Sequence, residues 1–326
     1  IHRNHVFEFD KMSNLSASLR RILQDRALPL SLNIREVLRD RDGTVKYRLG
    51  CLDNEQIEVV VLQDHRDRST ACLSTQVGCG MGCTFCATGQ GGLARNLTAG
   101  EIIAQVHWFE RWLREENGGD DDDLRVERPS RLSNIVVMGM GEPLANYDAL
   151  MQALHAIADP ETFSLSARAI TVSTVGLIPK IDALREENFP VRLAVSLHAA
   201  TNRLRNRLVP INKRYPLEAL MAACHRYQEK TNRRITFEYA LMRGINDSFE
   251  QAGQLADLLA TLRCHVNLIP LNPTAGSPYQ PSSDEAALRF QTILQEANIT
   301  TTMRLRRGIE INAGCGQLRQ ASQQKG

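Results

Sequence analysis

The chain has 326 residues, of which 43% are hydrophobic, so it can bury a large core and is longer than a typical small domain. Its net charge of +2 excludes a uniformly basic nucleic-acid-binding protein, so any RNA contact must come from local patches. Eight unevenly spaced cysteines exclude a disulfide scaffold and favour a reducing compartment. Because the sequence has no secretion signal and no apolar run of about 18 residues, we expect a cytoplasmic protein that does not enter a membrane.

The first part of the chain, residues 1–65, is predicted to form a small α+β accessory unit that is truncated at Ile1. A helix is expected through about Arg26, because Asn14 or Ser16 can cap a run with apolar positions on one face. Asp42-Gly43 lies between two runs of alternating apolar and polar residues, which predicts a β-hairpin. A third strand is expected at 57–62.

Residues 66–326 show short apolar strands that alternate with amphipathic helices, a pattern typical of parallel α/β folds. Six strands can be placed, so the prediction is a partial (β/α)6 barrel rather than a closed eight-stranded one. Active sites in such folds lie at the carboxyl ends of the strands. The first strand leads to a cysteine-rich loop, and the other five are expected at 134–138, 169–173, 192–197, 235–241 and 266–269.

Three cysteines, Cys79, Cys83 and Cys86, lie in one glycine-bearing loop after the first strand. Soft thiolates select zinc or an iron–sulfur cluster. Structural zinc sites need four ligands, usually from two paired knuckles, and no second Cys-x2-Cys pair follows here. Three thiolates instead suit a 4Fe-4S cluster, because one iron then stays open for a substrate. A zinc knuckle and three buried thiols are the alternatives.

Further candidate residues follow the later strands, where ligands of α/β folds bind. Gly141 can allow close approach of a ligand to the backbone, and Glu142 can accept a hydrogen bond from an ammonium group. Serine and asparagine side chains can bind a ribose or a carboxylate. The alternative for each residue is simple capping of a strand end. The full set of candidate cofactor-binding residues is Gly141, Glu142, Ser173, Ser196, Leu197, His198 and Asn272.

Two further cysteines are candidates for covalent chemistry. Cys315 lies between two glycines, which makes it a poor core residue and a candidate reactive thiol. Cys72 precedes the cysteine loop by seven residues and is expected near the same barrel mouth. Two thiols close to one site could form a transient disulfide. The remaining cysteines lie in apolar settings and are expected to pack in the core.

The spacing of the loop cysteines, with Phe85 before the third, resembles the signature of the radical S-adenosylmethionine (radical SAM) enzymes. The whole set of motifs resembles the radical-SAM RNA adenine methyltransferases of the RlmN/Cfr type, from about Phe9 to Leu318. The stretches at 142–144 and 173–179 are closer to the RlmN branch, which modifies carbon 2 of adenine, than to the Cfr branch, which modifies carbon 8. The motifs are Cys72-x6-Cys79-x3-Cys83-x2-Cys86, 138–144, 173–176, 196–199, 209–213 and 315–318.

This resemblance implies a mechanism. The loop cysteines hold a 4Fe-4S cluster whose open iron chelates S-adenosyl-L-methionine (SAM), and the strand-end residues above bind that cofactor. One SAM methylates Cys315, and a second is cleaved to a radical that takes hydrogen from the new methyl group. The resulting carbon radical adds to adenine. Cys72 then attacks Cys315, and the disulfide that forms releases the product. Glu58 resembles the residue proposed as proton acceptor.

The resemblance also implies partners. The substrate is an adenine in 23S ribosomal RNA, with transfer RNA as a further candidate, and the base must be extruded or unpaired to be reached. An electron donor such as flavodoxin or ferredoxin is required, and a monomer is expected. Two basic stretches can contact phosphates or can be ordinary solvated surface. They comprise Arg203, Arg205, Arg207, Lys213 and Arg214, and Arg304, Arg306 and Arg307.

Three alternative functions stay open at this point. A Cfr-like enzyme would modify carbon 8 of adenine. Another radical SAM enzyme with a different substrate would not need Cys315 or Cys72. A non-catalytic, metal-bearing RNA-binding protein would hold colourless zinc and would not cleave SAM.

Overall fold

The computed structural model describes residues 6–63, 68–117, 132–274 and 276–319. The described strands form one ten-stranded sheet, in the order β1-β2-β3-β4-β7-β8-β9-β10-β11-β12, and a separate β5-β6 pair. The strands are β1 (Leu32–Arg39), β2 (Val45–Cys51), β3 (Gln56–Gln63), β4 (Ser69–Cys72), β5 (Gln76–Gly78), β6 (Leu93–Asn96), β7 (Asn134–Val137), β8 (Ile170–Thr174), β9 (Arg192–Ser196), β10 (Ile235–Leu241), β11 (Cys264–Pro270) and β12 (Thr300–Met303).

The described helices include one before the sheet and seven that accompany its parallel strands. Three pairs, α3 with α4, α5 with α7 and α8 with α9, pack against each other. No helix in the described ranges is long and apolar enough to cross a membrane. The helices are α1 (Ala17–Arg26), α2 (Ala87–Gln90), α3 (Ala99–Asn117), α4 (Tyr147–Ala158), α5 (Ile178–Glu186), α6 (Asn202–Leu208), α7 (Leu217–Thr231), α8 (Phe249–Leu259) and α9 (Asp284–Glu296).

The N-terminal elements agree with the sequence patterns. Ser16 caps α1 by accepting a hydrogen bond from the Leu19 N–H group. Asp42-Gly43 forms the turn between the antiparallel strands β1 and β2. β3 pairs antiparallel with both β2 and β4, so these strands continue the barrel sheet without a break. The boundary predicted at residue 65 lies outside the described residues and stays a prediction.

The barrel strands confirm the predicted α/β class. β4 and β7 to β12 pair in parallel throughout, and every predicted strand is present. The first strand ends earlier than expected, at Cys72, because the chain then leaves the sheet to form the β5-β6 pair. A seventh parallel strand, β12, was not predicted. Its sequence of three threonines and a methionine carries no apolar alternation.

The alternation of side chains along β10 shows how the strands place the site. Phe237 and Tyr239 are fully buried on the helix side, and the Tyr239 ring lies 5.3 Å from the Phe290 ring of α9. Glu238 and Ala240 point the other way and line a cavity inside the barrel. The outer face of the strand therefore builds the core, while the inner face is available for chemistry.

Candidate active site

One cavity inside the barrel brings together the predicted site residues. It lies at the carboxyl ends of the parallel strands, where the fold places ligands. Two predicted residues do not line it: Leu197 is fully buried in the core, and Glu58 lies just outside. The predicted residues that line the cavity are Cys72, Cys79, Cys83, Cys86, Gly141, Glu142, Ser173, Ser196, His198, Asn272 and Cys315.

Backbone hydrogen bonds hold the cysteine loop in place. The Cys79 N–H donates to the Gly92 carbonyl at 2.7 Å, and the Thr84 N–H donates to the Leu208 carbonyl at 3.1 Å. The loop begins at Gly78, whose φ is +80° and where a Cβ would lie 2.1 Å from the Gly92 carbonyl oxygen. Only glycine fits that position. These backbone contacts and this glycine therefore fix the conformation of the cysteine loop.

The loop thiols suit an iron–sulfur cluster. All three line the one cavity at the strand ends. Soft thiolates are the ligands of such clusters, and three of them leave one iron of four open to a ligand. Burial raises the pKa of Cys79 to about 11 and also raises that of Cys83. Because metals bind thiolates, the bound iron must displace these protons.

Glu142 holds the loop that follows β7. Its carboxylate accepts hydrogen bonds from the Leu144 N–H at 3.0 Å and the Val175 N–H at 2.8 Å. Burial raises its pKa to about 7 despite these bonds. Gly141 precedes it with a φ of +105°, and a Cβ there would lie 2.6 Å from Gln76. Both residues therefore serve the packing of the loop as well as any ligand.

The hydroxyl groups of Ser173 and Ser196 lie 3.3 Å apart on the neighbouring strands β8 and β9. Both side chains face the cavity and offer donors and acceptors to a polar ligand. Asn272 follows β11 and donates from Nδ2 to the Cys315 carbonyl at 3.3 Å. This amide therefore also fixes the segment that carries Cys315.

His198 is held as a neutral imidazole. Its Nδ1 accepts a hydrogen bond from the Ala240 N–H at 3.0 Å, so the ring proton must be on Nε2. Burial, with a smaller contribution from the charge of Arg205, lowers its pKa to about 3. Its ring meets the Phe85 ring edge-on at 4.8 Å, which ties β9 to the cysteine loop. The Nε2–H group is thus a fixed donor at the cavity wall.

Cys72 and Cys315 line the same cavity although 243 positions separate them in the chain. Cys72 is buried at the end of β4, and burial raises its pKa to about 12. Cys315 is exposed to the cavity, yet the protein around it still raises its pKa. Arg304 also lines the cavity, and its charge favours the thiolate of both cysteines. Arg304 therefore belongs to the site.

Glu58 lies on β3, two residues before Val60, which pairs with Cys72. Its Oε1 is 3.1 Å from the Lys46 Nζ, and its Oε2 accepts a hydrogen bond from the Arg319 N–H at 3.1 Å. The Lys46 side chain also donates to the Asn312 carbonyl. Glu58 is thus connected to both ends of the Cys315 segment rather than to the cavity itself.

Arg205 corrects the interpretation of the first basic stretch. It is fully buried and cannot contact RNA. Its guanidinium donates to the carbonyls of Val175, Ser196 and Leu197 and to Asn212 Oδ1, at 2.6 to 3.1 Å. This cation therefore ties together the ends of β8 and β9. The other four basic residues of that stretch are exposed: Arg203, Arg207, Lys213 and Arg214.

Comparison with known proteins agrees with this geometry. Residues 73–256 match the radical SAM superfamily. A protein of Moorella thermoacetica described as a probable dual-specificity RNA methyltransferase RlmN is 48% identical, over 99% of this chain and 90% of that protein. The dual-specificity RNA methyltransferase RlmN of Syntrophobacter fumaroxidans is 46% identical, over 98% and 89%. The crystal structure of a radical SAM methyltransferase from Sphaerobacter thermophilus superimposes with a TM-score of 0.91 and 47% identity, over 98% and 90%.

A radical SAM fold with three loop cysteines at its cavity defines the class: the chain belongs to the radical SAM superfamily. Membership brings a 4Fe-4S cluster and SAM as cofactors, so both predicted cofactors are confirmed. Within the superfamily, the chain belongs to the RlmN family. The resemblance stated from the motifs, closer to RlmN than to Cfr, is confirmed as well.

Proposed function

We propose that the protein methylates carbon 2 of an adenine in 23S ribosomal RNA, with transfer RNA as a second substrate. The relatives are named dual-specificity RNA methyltransferases, which supports RNA as the substrate and more than one kind of it. The stretches at 142–144 and 173–179 support carbon 2 over carbon 8. The observation that carries the proposal is that Cys72 and Cys315 share one cavity with the three loop cysteines.

The proposed roles divide between cofactor binding and covalent chemistry. The loop cysteines hold the cluster, which together with SAM supplies a carbon-centred radical when bound. Ser173, Ser196 and Asn272 offer hydrogen bonds to SAM from the cavity wall, and His198 offers its Nε2–H. Gly141 and Glu142 shape the loop that SAM approaches, and Leu197 contributes only through the backbone at the end of β9.

Cys315 carries the methyl group as a thioether and so becomes linked to the RNA through one carbon. The Cys72 thiolate then attacks the Cys315 sulfur and a sulfur–sulfur bond forms. The sulfur–carbon bond to the RNA breaks, its electron pair stays on that carbon, and the carbon takes up a proton to become the methyl group. Arg304 favours the attacking thiolate, because its charge offsets part of the cost of ionising a buried thiol. Glu58 accepts the proton lost from the adenine, for which its carboxylate must leave Lys46 or the Arg319 N–H.

The exposed arginines and lysine that follow β9 are the proposed phosphate contacts. They lie beside the cysteine loop, since the Leu208 carbonyl accepts a hydrogen bond from the Thr84 N–H and Pro210 packs at Gly82. Within the described ranges, Arg203, Arg207 and Lys213 form no ion pair, so their charges are available to RNA. An electron donor such as flavodoxin or ferredoxin must reach the same loop. We further propose a cytoplasmic protein, because its proposed RNA substrates lie in that compartment, and a monomer, because described residues of one chain line the cavity.

The test uses anaerobically reconstituted enzyme with SAM, a chemical reductant and in vitro transcribed 23S ribosomal RNA. Mass spectrometry of digested RNA is expected to show 2-methyladenosine. Cys315→Ala should abolish methylation and keep the iron content. Cys72→Ala should accumulate a covalent protein–RNA adduct, visible as a shifted band that nuclease removes.

Cys264→Ala is the matched control, because Cys264 is a buried cysteine outside the cavity. This variant enzyme should stay fully active. A Cys72→Ala enzyme with wild-type turnover would rule out the disulfide step. Methylation at carbon 8 of adenine would instead give the protein the activity of the Cfr branch.

A further inference from the structure

The barrel interior contains a buried carboxylate that none of the roles above uses. Glu238 of β10 is 4% exposed, stands beside Ser196 of β9 and lines the cavity. Its Oε1 accepts a hydrogen bond from Asn267 Nδ2 at 3.0 Å. Its Oε2 is buried and has no hydrogen-bond partner within the described ranges. Because such an atom is costly to leave unsatisfied, it points to a ligand with an N–H or O–H group.

Hydrogen bonds across three neighbouring strands fix the orientation of this carboxylate. Thr302 of β12 donates to Asn267 Oδ1 at 2.7 Å and lies 2.9 Å from His265 Nε2. Since the Asn267 oxygen accepts from Thr302, the amide NH2 must face Glu238 and donate to Oε1. The second oxygen is therefore the one that remains for a ligand in the cavity.

The neighbours of Glu238 indicate which ligand it faces. Cys315 and Arg304 line the same cavity as Glu238, so a substrate atom held at the Cys315 sulfur lies in the space that this carboxylate faces. In the proposed function, the carbon on Cys315 reaches carbon 2 of adenine. That atom lies on the Watson–Crick edge, which also carries N1 and the exocyclic amino group. The amino group is the only N–H donor of the base in RNA.

We propose that Glu238 determines specificity by accepting a hydrogen bond from the amino group of the target adenine through Oε2. This rests on the proposed function and deepens it. Guanine presents an oxygen at the same place, which a carboxylate repels, so Glu238 would exclude guanine as well as favour adenine. SAM carries an adenine with the same amino group, and the experiment below separates the two sources.

The experiment compares wild-type holoenzyme with Glu238→Gln, Glu238→Ala and the exposed control Glu285→Gln. In Glu238→Gln, Asn267 keeps its acceptor, and the new NH2 meets the adenine amino group donor to donor. Methylation of 23S ribosomal RNA should lose about ten- to hundred-fold in kcat/KM, the usual effect of losing a hydrogen bond to a charged group. Iron content, SAM cleavage without RNA and methylation of Cys315 should stay within about two-fold of wild type.

A second arm uses RNA with purine riboside, which lacks the amino group, at the methylated position. Purine riboside should reduce methylation by the wild type. It should cause no further reduction in Glu238→Ala, because that variant already lacks the contact with the amino group. Glu285→Gln should behave as wild type with both RNAs.

Three outcomes overturn the proposal. Equal losses in SAM cleavage and Cys315 methylation would place the contact on SAM. Full activity of Glu238→Gln beside an impaired Glu238→Ala would make the residue a donor rather than an acceptor. If the losses in methylation from purine riboside and from Glu238→Ala simply add, Glu238 does not contact the amino group. A wild-type enzyme that methylates no RNA would instead defeat the proposed function itself. If Glu238→Ala fails to fold, the isosteric Glu238→Gln alone decides.

Discussion

At the scale of single residues, His198 couples the site to pH. Its pKa falls from 6.5 to about 3 on burial, so the unfolded chain binds the proton more readily than the folded one. The stability that this residue contributes is therefore complete above pH 6.5 and is lost as the pH falls toward 3. Acidification should open the region where β9, β10 and the cysteine loop meet.

His198→Asn tests this coupling. Asparagine tolerates the φ of +59° at this position and does not titrate. Between pH 7.5 and 5.5, the wild type should lose about 1.4 kcal/mol more in its free energy of unfolding than the variant. Urea unfolding followed by circular dichroism measures the difference. Equal losses in the two proteins would show that His198 is protonated without cost in the folded state.

Arg205 is predicted to contribute more to stability than any exposed arginine. Arg205→Met removes the donor to the Val175, Ser196 and Leu197 carbonyls and leaves them buried without it. The loss should be about 3–5 kcal/mol in the free energy of unfolding. Arg207→Met on the same helix is exposed and should change it by less than about 0.5 kcal/mol. Similar values for both variants would contradict the assigned role.

The sequence patterns located most of the site residues because strand ends and cysteine spacing are local signals. The burial of Arg205 was not predictable, since its carbonyl partners come from two other segments, at Val175 and at Ser196-Leu197, and the sequence shows no carboxylate that would pair with it. Glu238 was missed for a related reason. An acidic residue within a strand becomes notable only when its second oxygen is found buried without a partner. Arg304 was interpreted as a phosphate contact or solvated surface, and the fold instead places it in the cavity that Cys72 and Cys315 line.

At the scale of elements, the segment after β12 is held by the turn between β1 and β2. Asp42 Oδ2 accepts a hydrogen bond from the Gly308 N–H at 2.9 Å, and Asp40 Oδ2 accepts from the Glu310 N–H at 3.0 Å. Arg307 donates to the Gln63 carbonyl. β12 and β1 are the two edge strands of the ten-stranded sheet. The segment that contains Arg307, Gly308 and Glu310 therefore forms a bridge between them.

The double variant Asp40→Ala/Asp42→Ala should loosen that bridge. Hydrogen exchange at the Gly308 and Glu310 amides is expected to rise about tenfold, because both lose their acceptors. RNA methylation should fall with it, since Cys315 follows on the same segment. Asp53→Ala, in the next turn of the sheet, should leave both amides protected. Unchanged exchange in the double variant would show that other contacts hold the segment.

Elements with strong local signals were predicted closely. A capping box begins α3, where the Thr98 and Glu101 side chains each accept a hydrogen bond from the other residue's N–H group. The β5-β6 pair and α6 were not predicted. β5 is only three residues long, and the apolar residues of α6 are two leucines, one helical turn apart, among arginines and asparagines. Such short elements form because tertiary contacts stabilise them, which local patterns do not report.

At the scale of the whole molecule, the accessory strands and the parallel strands share one sheet and one hydrophobic core. We therefore predict a single cooperative unfolding transition. Tryptophan fluorescence, which reports on Trp108 and Trp112 of α3, and far-ultraviolet circular dichroism should give the same urea midpoint. Two separate midpoints would favour an accessory unit that is independently stable, as the prediction of a boundary at residue 65 implies.

The bridge between the two ends of the sheet has a consequence for how such enzymes can diversify. The strands that hold the cluster loop are fixed by the core, whereas the bridge is attached by hydrogen bonds to two aspartates, to Lys46 and to the Gln63 carbonyl. Replacing or lengthening the bridge would leave the radical-generating part intact. New group-transfer chemistry could then be engineered by grafting a different reactive segment between β12 and the first turn, without redesigning a single strand.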